Sequence, residues 1–361
     1  MSHAQLTQRE RQVLEAVVRM YVGTAEPAGS RALARRFDLG VSPATIRNTM
    51  ADLEAKGYLY HPHTSAGRVP TDLAYRFYVD VVMEPVPMTP TEERALLAEI
   101  AEAGAASGLE LLLQRTASAL GLLTGELGVA LSPDLGESVL EHLELLPLSS
   151  GRLVLVLSLS GRQARTVYVE ARGEVVPDAV EVVAGILNER LAGRTLAEIR
   201  ATLPERLRDS VPSDDLAASE LLNIFVQSAD ELFSAPAGAA SLLHLGRTSV
   251  LARQPEFSNE DELKSLIELT EQRDLLATVL SGTNSGSTLR VTIGSEHERP
   301  ELSSFTVVSS PYEADGVAGV IGVIGPTRMP YEKVVAIVEQ TSGLLSTLYG
   351  ASGDGPRFSR Q

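Results

Sequence analysis

Between residues 42 and 48 the chain sets Ser42, Ala44, Thr45, Arg47 and Asn48 among apolar residues spaced for the opposite side of a helix, Ile46, Met50 and Leu53. Arginine pairs bidentately with guanine in a major groove and asparagine with adenine, and a small residue such as Ala44 lets a helix come close to base edges. The hydroxyls of Ser42 and Thr45, beside the free amides of a helix start, suit phosphate. Upstream, Ser30, Arg31, Arg35 and Arg36 fall on a short segment that could neutralise a phosphate backbone. Downstream comes His61-Pro62-His63-Thr64-Ser65-Ala66-Gly67-Arg68. Here His63, Thr64 and Ser65 are contact candidates, Gly67 permits close backbone approach, and Arg68 suits phosphate or the minor groove. His61 and His63 could instead form a metal pair, but no third ligand stands nearby. On spacing alone, a small helical subdomain with surface arginines remains the plainer alternative.

These side chains need elements to hold them. Thr7 and Glu10 have the spacing of a capping box, and Val13, Leu14, Val17, Val18 and Tyr21 follow with helical period. Gly23 to Pro27 breaks that helix, and Ser30 caps a second one carrying Leu33 and Phe37. Ser42-Pro43, a hydroxyl cap followed by proline, opens a third helix that Gly57 ends. Tyr58-Leu59-Tyr60 is β-prone, and the loop from His61 to Pro70 reads as a hairpin returning at Arg68-Val69. Thr71 caps a helix through Tyr75, Phe77, Tyr78 and Val81. Pro85, Pro87 and Pro90 predict a break and a hinge.

Beyond a helical stretch at about 91–121, strands are expected at Leu127–Leu131, Leu140–Pro147, Leu153–Leu159 and Thr166–Glu170. Helices interrupted by Pro204 and Pro212 follow over 177–233, then one helix from Leu263 to Leu280. Strands return at Leu289–Ile293, Phe305–Ser309 and Val317–Ile324, before a closing amphipathic helix from Tyr331 to Leu348. Strands, helices, then strands again suggest an α+β domain with a helical insertion.

The 361 residues are enough for two or three domains. The net charge of −16 is unevenly spread: residues 1–80 hold ten Lys and Arg against eight Asp and Glu, the rest 21 against 39. A mildly basic head on an acidic body would limit non-specific contact with DNA to the head. No cysteine is present, which excludes disulfides and thiolate metal sites and suits a cytoplasmic location. No apolar run approaches the roughly 20 residues of a membrane helix, and the polar start is unlike a signal peptide. No cofactor or metal site is expected. Gly316, Gly319, Gly322 and Gly325 recur every three residues, which is neither a dinucleotide nor a P-loop pattern and reads as a buried strand. No catalytic constellation stands out, so an enzyme is not expected.

Four strings are more than generic. Pro27–Arg31, Ser42–Glu54, Pro62–Thr71 and Tyr75–Asp80, together with Val323-Ile324-Gly325-Pro326-Thr327-Arg328-Met329-Pro330-Tyr331, closely resemble the bacterial heat-inducible transcription repressor family, HrcA. The resemblance spans the chain. It implies a multidomain α+β protein: a winged helix-turn-helix at 1–72, linker helices at 73–121, a discontinuous GAF-like α/β domain at 122–173 and 275–350, an inserted helical dimerisation domain at 174–274, and a flexible tail at 351–361. It also implies a homodimer on the inverted-repeat operator of chaperone operons, released on heat stress and kept active by a GroEL-type chaperonin. Two readings compete. The GAF-like domain could sense a metabolite, or the N-terminal unit could serve protein contact as an adaptor.

Overall fold

A computed structural model describes residues 6–63, 67–102, 109–132, 136, 138–149, 151–160, 163–171, 176–207, 210, 215–233, 242–258, 260–282, 288–314 and 317–349. The chain opens with α1 (Gln8–Thr24), α2 (Ser30–Arg36) and α3 (Pro43–Ala55), followed by a hairpin of β1 (Leu59–Tyr60) and β2 (Val69–Pro70). Next come α4 (Asp72–Phe77), continued by one wide turn over Tyr78–Val82, then α5 (Pro90–Glu102), α6 (Leu109–Thr124) and β3 (Leu127–Leu131). A meander of β4 (Leu140–Ser149), β5 (Arg152–Leu159) and β6 (Gln163–Glu170) leads to α7 (Pro177–Leu191), α8 (Leu196–Leu207), α9 (Leu216–Gln227) and α10 (Ala229–Phe233). The last part holds β7 (Leu243–Leu245), α11 (Glu260–Glu271), α12 (Arg273–Ser281), β8 (Arg290–Ile293), β9 (Phe305–Ala314), β10 (Val317–Pro326) and α13 (Tyr331–Tyr349).

A five-stranded antiparallel sheet, ordered β7-β3-β10-β9-β8, is the body's frame. Side chains alternate across it with period two. Ile321 and Val323 join α13, α6 and the N-terminal helices in one core; Val320 and Ile324 join Phe305, α11 and α12 in another. The third-residue glycines of β10 have a steric reason. A Cβ at Gly319 would strike the Tyr312 ring, and one at Gly325 the Glu126 carboxyl. On α13, Val334, Val335, Val338, Thr341 and Leu345 are buried as the helical stripe requires.

Several expectations differ from the structure, among them the cap of α2, which is Gly29 rather than Ser30 and has no side-chain hydrogen bond. The expected cut at 173/174 separates β6 from α7, yet these elements share a core. In it β4, β5 and β6 form their own sheet, ordered β4-β5-β6, under α7, α8, α9 and α10. The segment between β3 and β7 is therefore a sheet-and-helix unit rather than a helical one, and residues from β7 onward return to the five-stranded sheet. Pro204 does not interrupt α8, which runs through it with Leu196, Ile199, Leu203 and Leu207 held in the core. The helix expected over Leu263–Leu280 is two, since Gln272 leaves helical geometry at ψ 59°. The proline segment is no hinge: Val86 N donates to Glu332 O (3.0 Å) and Met88 N to Gln340 Oε1 (3.2 Å), strapping it along α13. Strand β7 falls outside the strands that alternation in the sequence predicts. Pro212, and the tail at 351–361, lie outside the described residues.

Candidate nucleic-acid interface

The foundation is α1. Thr7 and Glu10 form the reciprocal cap that their spacing predicts, with Thr7 N donating to Glu10 Oε2 at 2.8 Å and Glu10 N to Thr7 Oγ1 at 3.3 Å. The other carboxylate oxygen of Glu10 accepts from Lys56 Nζ at 2.6 Å. That hydrogen bond holds the Glu10 carboxyl below its usual pKa although burial pulls the other way. The start of α1 is thus tied to the end of α3. Val13, Leu14 and Val17 of α1 share a core with Leu33 of α2 and with Ile46, Met50 and Leu53 of α3.

With that side of α3 buried, its other side is free. Ser42, Ala44, Arg47, Asn48 and Ala51 are exposed, as are Arg31, Arg35 and Arg36 of α2; Ser30 and Thr45 are half-buried. Neither Arg47 nor Asn48 has a side-chain partner among the described residues. The start of α3 is more occupied than its sequence suggests. Ser42 Oγ accepts from Thr45 N at 3.2 Å and lies 3.0 Å from Thr45 Oγ1, so both hydroxyls and one amide serve the cap. A phosphate there would have to compete with it.

The hairpin pairs Leu59 with Pro70 and Tyr60 with Val69. Ala28, just before α2, adds a third backbone: its N–H donates to Arg68 O at 2.8 Å, and Arg68 N–H to Ala28 O at 2.9 Å. Gly67 is what permits this, since a Cβ there would stand 2.4 Å from the Ala28 carbonyl carbon and oxygen. The close approach expected at Gly67 is therefore to the protein's own chain. Arg68 turns inward as well. Its Nη2 lies 2.7 Å from Glu54 Oε2 on α3, with the side chain only 20 % exposed. His63 is exposed; Thr64 and Ser65 lie outside the described residues.

Sequence reading found the outer face of α3 and the arginines of α2. It missed Ala28, Glu54, Lys56 and Glu10's second partner. The Arg68–Glu54 pair depends on the hairpin's return, and no local spacing signals it.

The molecule can be set beside known proteins. The family model for the HrcA protein C-terminal domain matches residues 110–335. The heat-inducible transcription repressor HrcA of Chlorobium luteolum is 37 % identical over 357 residues, covering 96 % of this chain and 98 % of the relative. That of Chlorobium phaeovibrioides is 38 % identical over 364 residues, covering 98 % and 100 %. A crystal structure of a hypothetical protein at 2.2 Å resolution aligns with a TM-score of 0.58 at 24 % identity, over 95 % of this chain and 98 % of that one. The last likeness is one of fold alone.

Proposed function

The chain belongs to the HrcA family of heat-inducible transcription repressors, and on that premise we propose that its first 72 residues are a winged helix-turn-helix that reads an operator. In this reading α3 lies in the major groove and the β1–β2 hairpin is the wing. One observation carries it: Ser42, Ala44, Arg47 and Asn48 face solvent together while Ile46, Thr49, Met50 and Leu53 hold the opposite side of α3 in the core. A long side chain such as Arg47 in open solvent gives no packing return for its conformational freedom. A guanine edge would supply its bidentate partner. Arg31, Arg35 and Arg36 supply backbone neutralisation, and Arg68 fastens the wing to α3 through Glu54.

The operator is an inverted repeat of the kind upstream of chaperone operons, bound by a homodimer, since a two-fold protein matches a two-fold site. The β4–α10 unit supports the dimer. Leu146, Val154 and Tyr168 stand side by side by strand register, and Leu146 and Tyr168 are exposed beside Leu148. The five-stranded sheet and its helices form the GAF-like domain. Heat and occupation of a GroEL-type chaperonin deplete the active dimer, which the small stability margin of folded proteins allows. The metabolite-sensing alternative draws no support from the five-stranded sheet, both of whose faces are lined by packed apolar side chains.

The test is a salt titration of binding to an inverted repeat from the host's chaperone promoter. The expected result is tight binding that falls steeply with salt. No binding at low salt would transfer the N-terminal unit to the adaptor reading.

A further inference from the structure

The N-terminal unit is not a loosely tethered head. Its helices share a core with β9, β10 and α13, and Tyr75 of α4 packs on Tyr331 with ring centroids 5.7 Å apart. Apolar burial is non-directional, however, and does not choose one orientation. Directional contacts do, and they fall at three places on the body.

The first is the turn after β8. Arg76 of α4 forks onto the Glu296 carboxylate, with Nε 2.7 Å from Oε1, and its Nη2 also donates to Val291 O at 2.6 Å. Beside it Asp72 accepts from Ser295 N at 2.8 Å. The adjoining Gly294 has φ +49°, and a Cβ there would collide with the Asp72 carboxylate. The second is the loop between β10 and α13. Arg328 donates from Nη1 to Val22 O in the last turns of α1 at 2.6 Å, while its Nε and Nη2 grip Glu256. The third is α13, where Glu332 accepts from Tyr78 OH, which in turn accepts from Arg19 Nε at 3.3 Å. Across the joint one contact, Arg76 to Glu296, is a forked arginine–carboxylate pair, which fixes angle as well as distance; the Arg328–Glu256 fork lies within the body and aims Arg328 Nη1 at the Val22 carbonyl.

We propose that Arg76 and Arg328 are positioning residues: they lock the angle at which the body presents the outer face of α3, and so select the half-site spacing that a pair of chains can bind. This rests on the operator reading above for its DNA consequence, but the lock itself does not. Neither residue touches the reading face. Arg76, on the α4 helix that follows the 72-residue unit and shares its core, and Arg328, reaching α1 from the body, tie that unit to the body that would carry the two-fold axis. A rigid link preserves the effective-concentration gain of the second half-site, whereas a loose link spends it on wrong orientations.

The test uses the full chain and the double variant Arg76→Lys, Arg328→Lys. Both charges remain, so electrostatics toward DNA are kept while the forks are lost. The chain has no cysteine, so Asp52→Cys on α3 and Glu339→Cys on α13, both exposed positions, take spin labels cleanly. Diluted into unlabelled protein, the parent should give one narrow distance distribution and the variant a broad one. In binding, the variant should match the parent on a single half-site within about twofold and lose about tenfold on the full repeat. Lengthening the spacer by about half a turn, roughly five base pairs, should penalise the parent about tenfold and the variant about twofold. Equal distance widths, or an unchanged spacer penalty, would overturn the proposal, as would equal losses on half-site and full site. If no duplex binds the parent, the operator reading fails, and the distance widths still decide the lock. Should the double variant melt early, Glu296→Gln removes the Arg76 fork alone and should still broaden the distance distribution; an unchanged width would overturn the role of Arg76.

Discussion

Arg68 at the root of the hairpin holds its guanidinium 2.7 Å from the carboxylate of Glu54, fourteen residues back on α3. The pair joins the β1–β2 hairpin to α3, and it takes up the cation that the sequence offers to phosphate. Arg68→Ala and Glu54→Gln should therefore weaken operator binding by similar amounts on all sequences. Neither should change the slope of log affinity against log salt, and their effects should be strongly non-additive in a double-mutant cycle. A direct phosphate contact at Arg68 would instead lower that slope by about one.

Gly67→Ala acts on the same joint by a different route. Its Cβ would overlap the Ala28 carbonyl, so the bridge between Ala28 and Arg68 must open. The expected loss is about 1–3 kcal/mol of stability, read as a lower midpoint in a denaturant titration. A midpoint equal to the parent's would show that the joint yields without strain.

Glu126, only 2 % exposed, lies between α6 and β3 under Gly325, with Gln254 Nε2 donating to it at 2.9 Å. Burial pushes its carboxyl from 4.5 up to about 8, against the lowering effects of Gln254 and Arg328. The folded value lies above the unfolded one. Between about pH 4.5 and 8 the folded chain keeps a proton that the unfolded chain has lost. Stability from this group is full below that window, falls as pH rises through it, and is flat above. Glu126→Gln keeps the shape and the hydrogen-bond acceptor. It should stabilise the protein at pH 8 by an amount on the order of a few kcal/mol and flatten the fall between pH 6 and 8. Parallel pH profiles for the two proteins would contradict this.

The outer face of the β4-β5-β6 sheet makes a fourth point. Tyr168 is 73 % exposed and Leu146 48 %, on either side of Val154. If this face is the dimer contact, Leu146→Asp with Tyr168→Asp should sediment as a single chain and bind a full repeat no better than a half-site. A dimer of unchanged strength would move the contact elsewhere.

What the sequence made legible was local. The caps at Thr7, Ser42 and Thr71, the buried stripe of α3 and the strands β3, β5 and β10 follow from spacing within a few residues. The exposed candidates on α2 and α3 were found for the same reason. What stayed hidden depends on chain return. The Glu54 partner of Arg68 and the Glu296 partner of Arg76, 220 residues away, have no local signal. The strands β3 and β4 are neighbours in sequence, yet they enter different sheets. Pattern alone does not say which sheet a strand joins. The prolines at 85, 87 and 90 read as a hinge because breaking a helix and freeing a chain share one signature; contacts with α13 separate the two.

The most direct measurement pairs Arg47→Ala with an inverted repeat in which one guanine per half-site is replaced by 7-deazaguanine, scanned along the site. With Arg47 present, one position should lose about 1–3 kcal/mol when its N7 acceptor is removed; in the Arg47→Ala protein that position should lose nothing further. Equal sensitivity in both proteins at every guanine would mean that Arg47 touches no base edge, and the placement of α3 in the groove would be wrong.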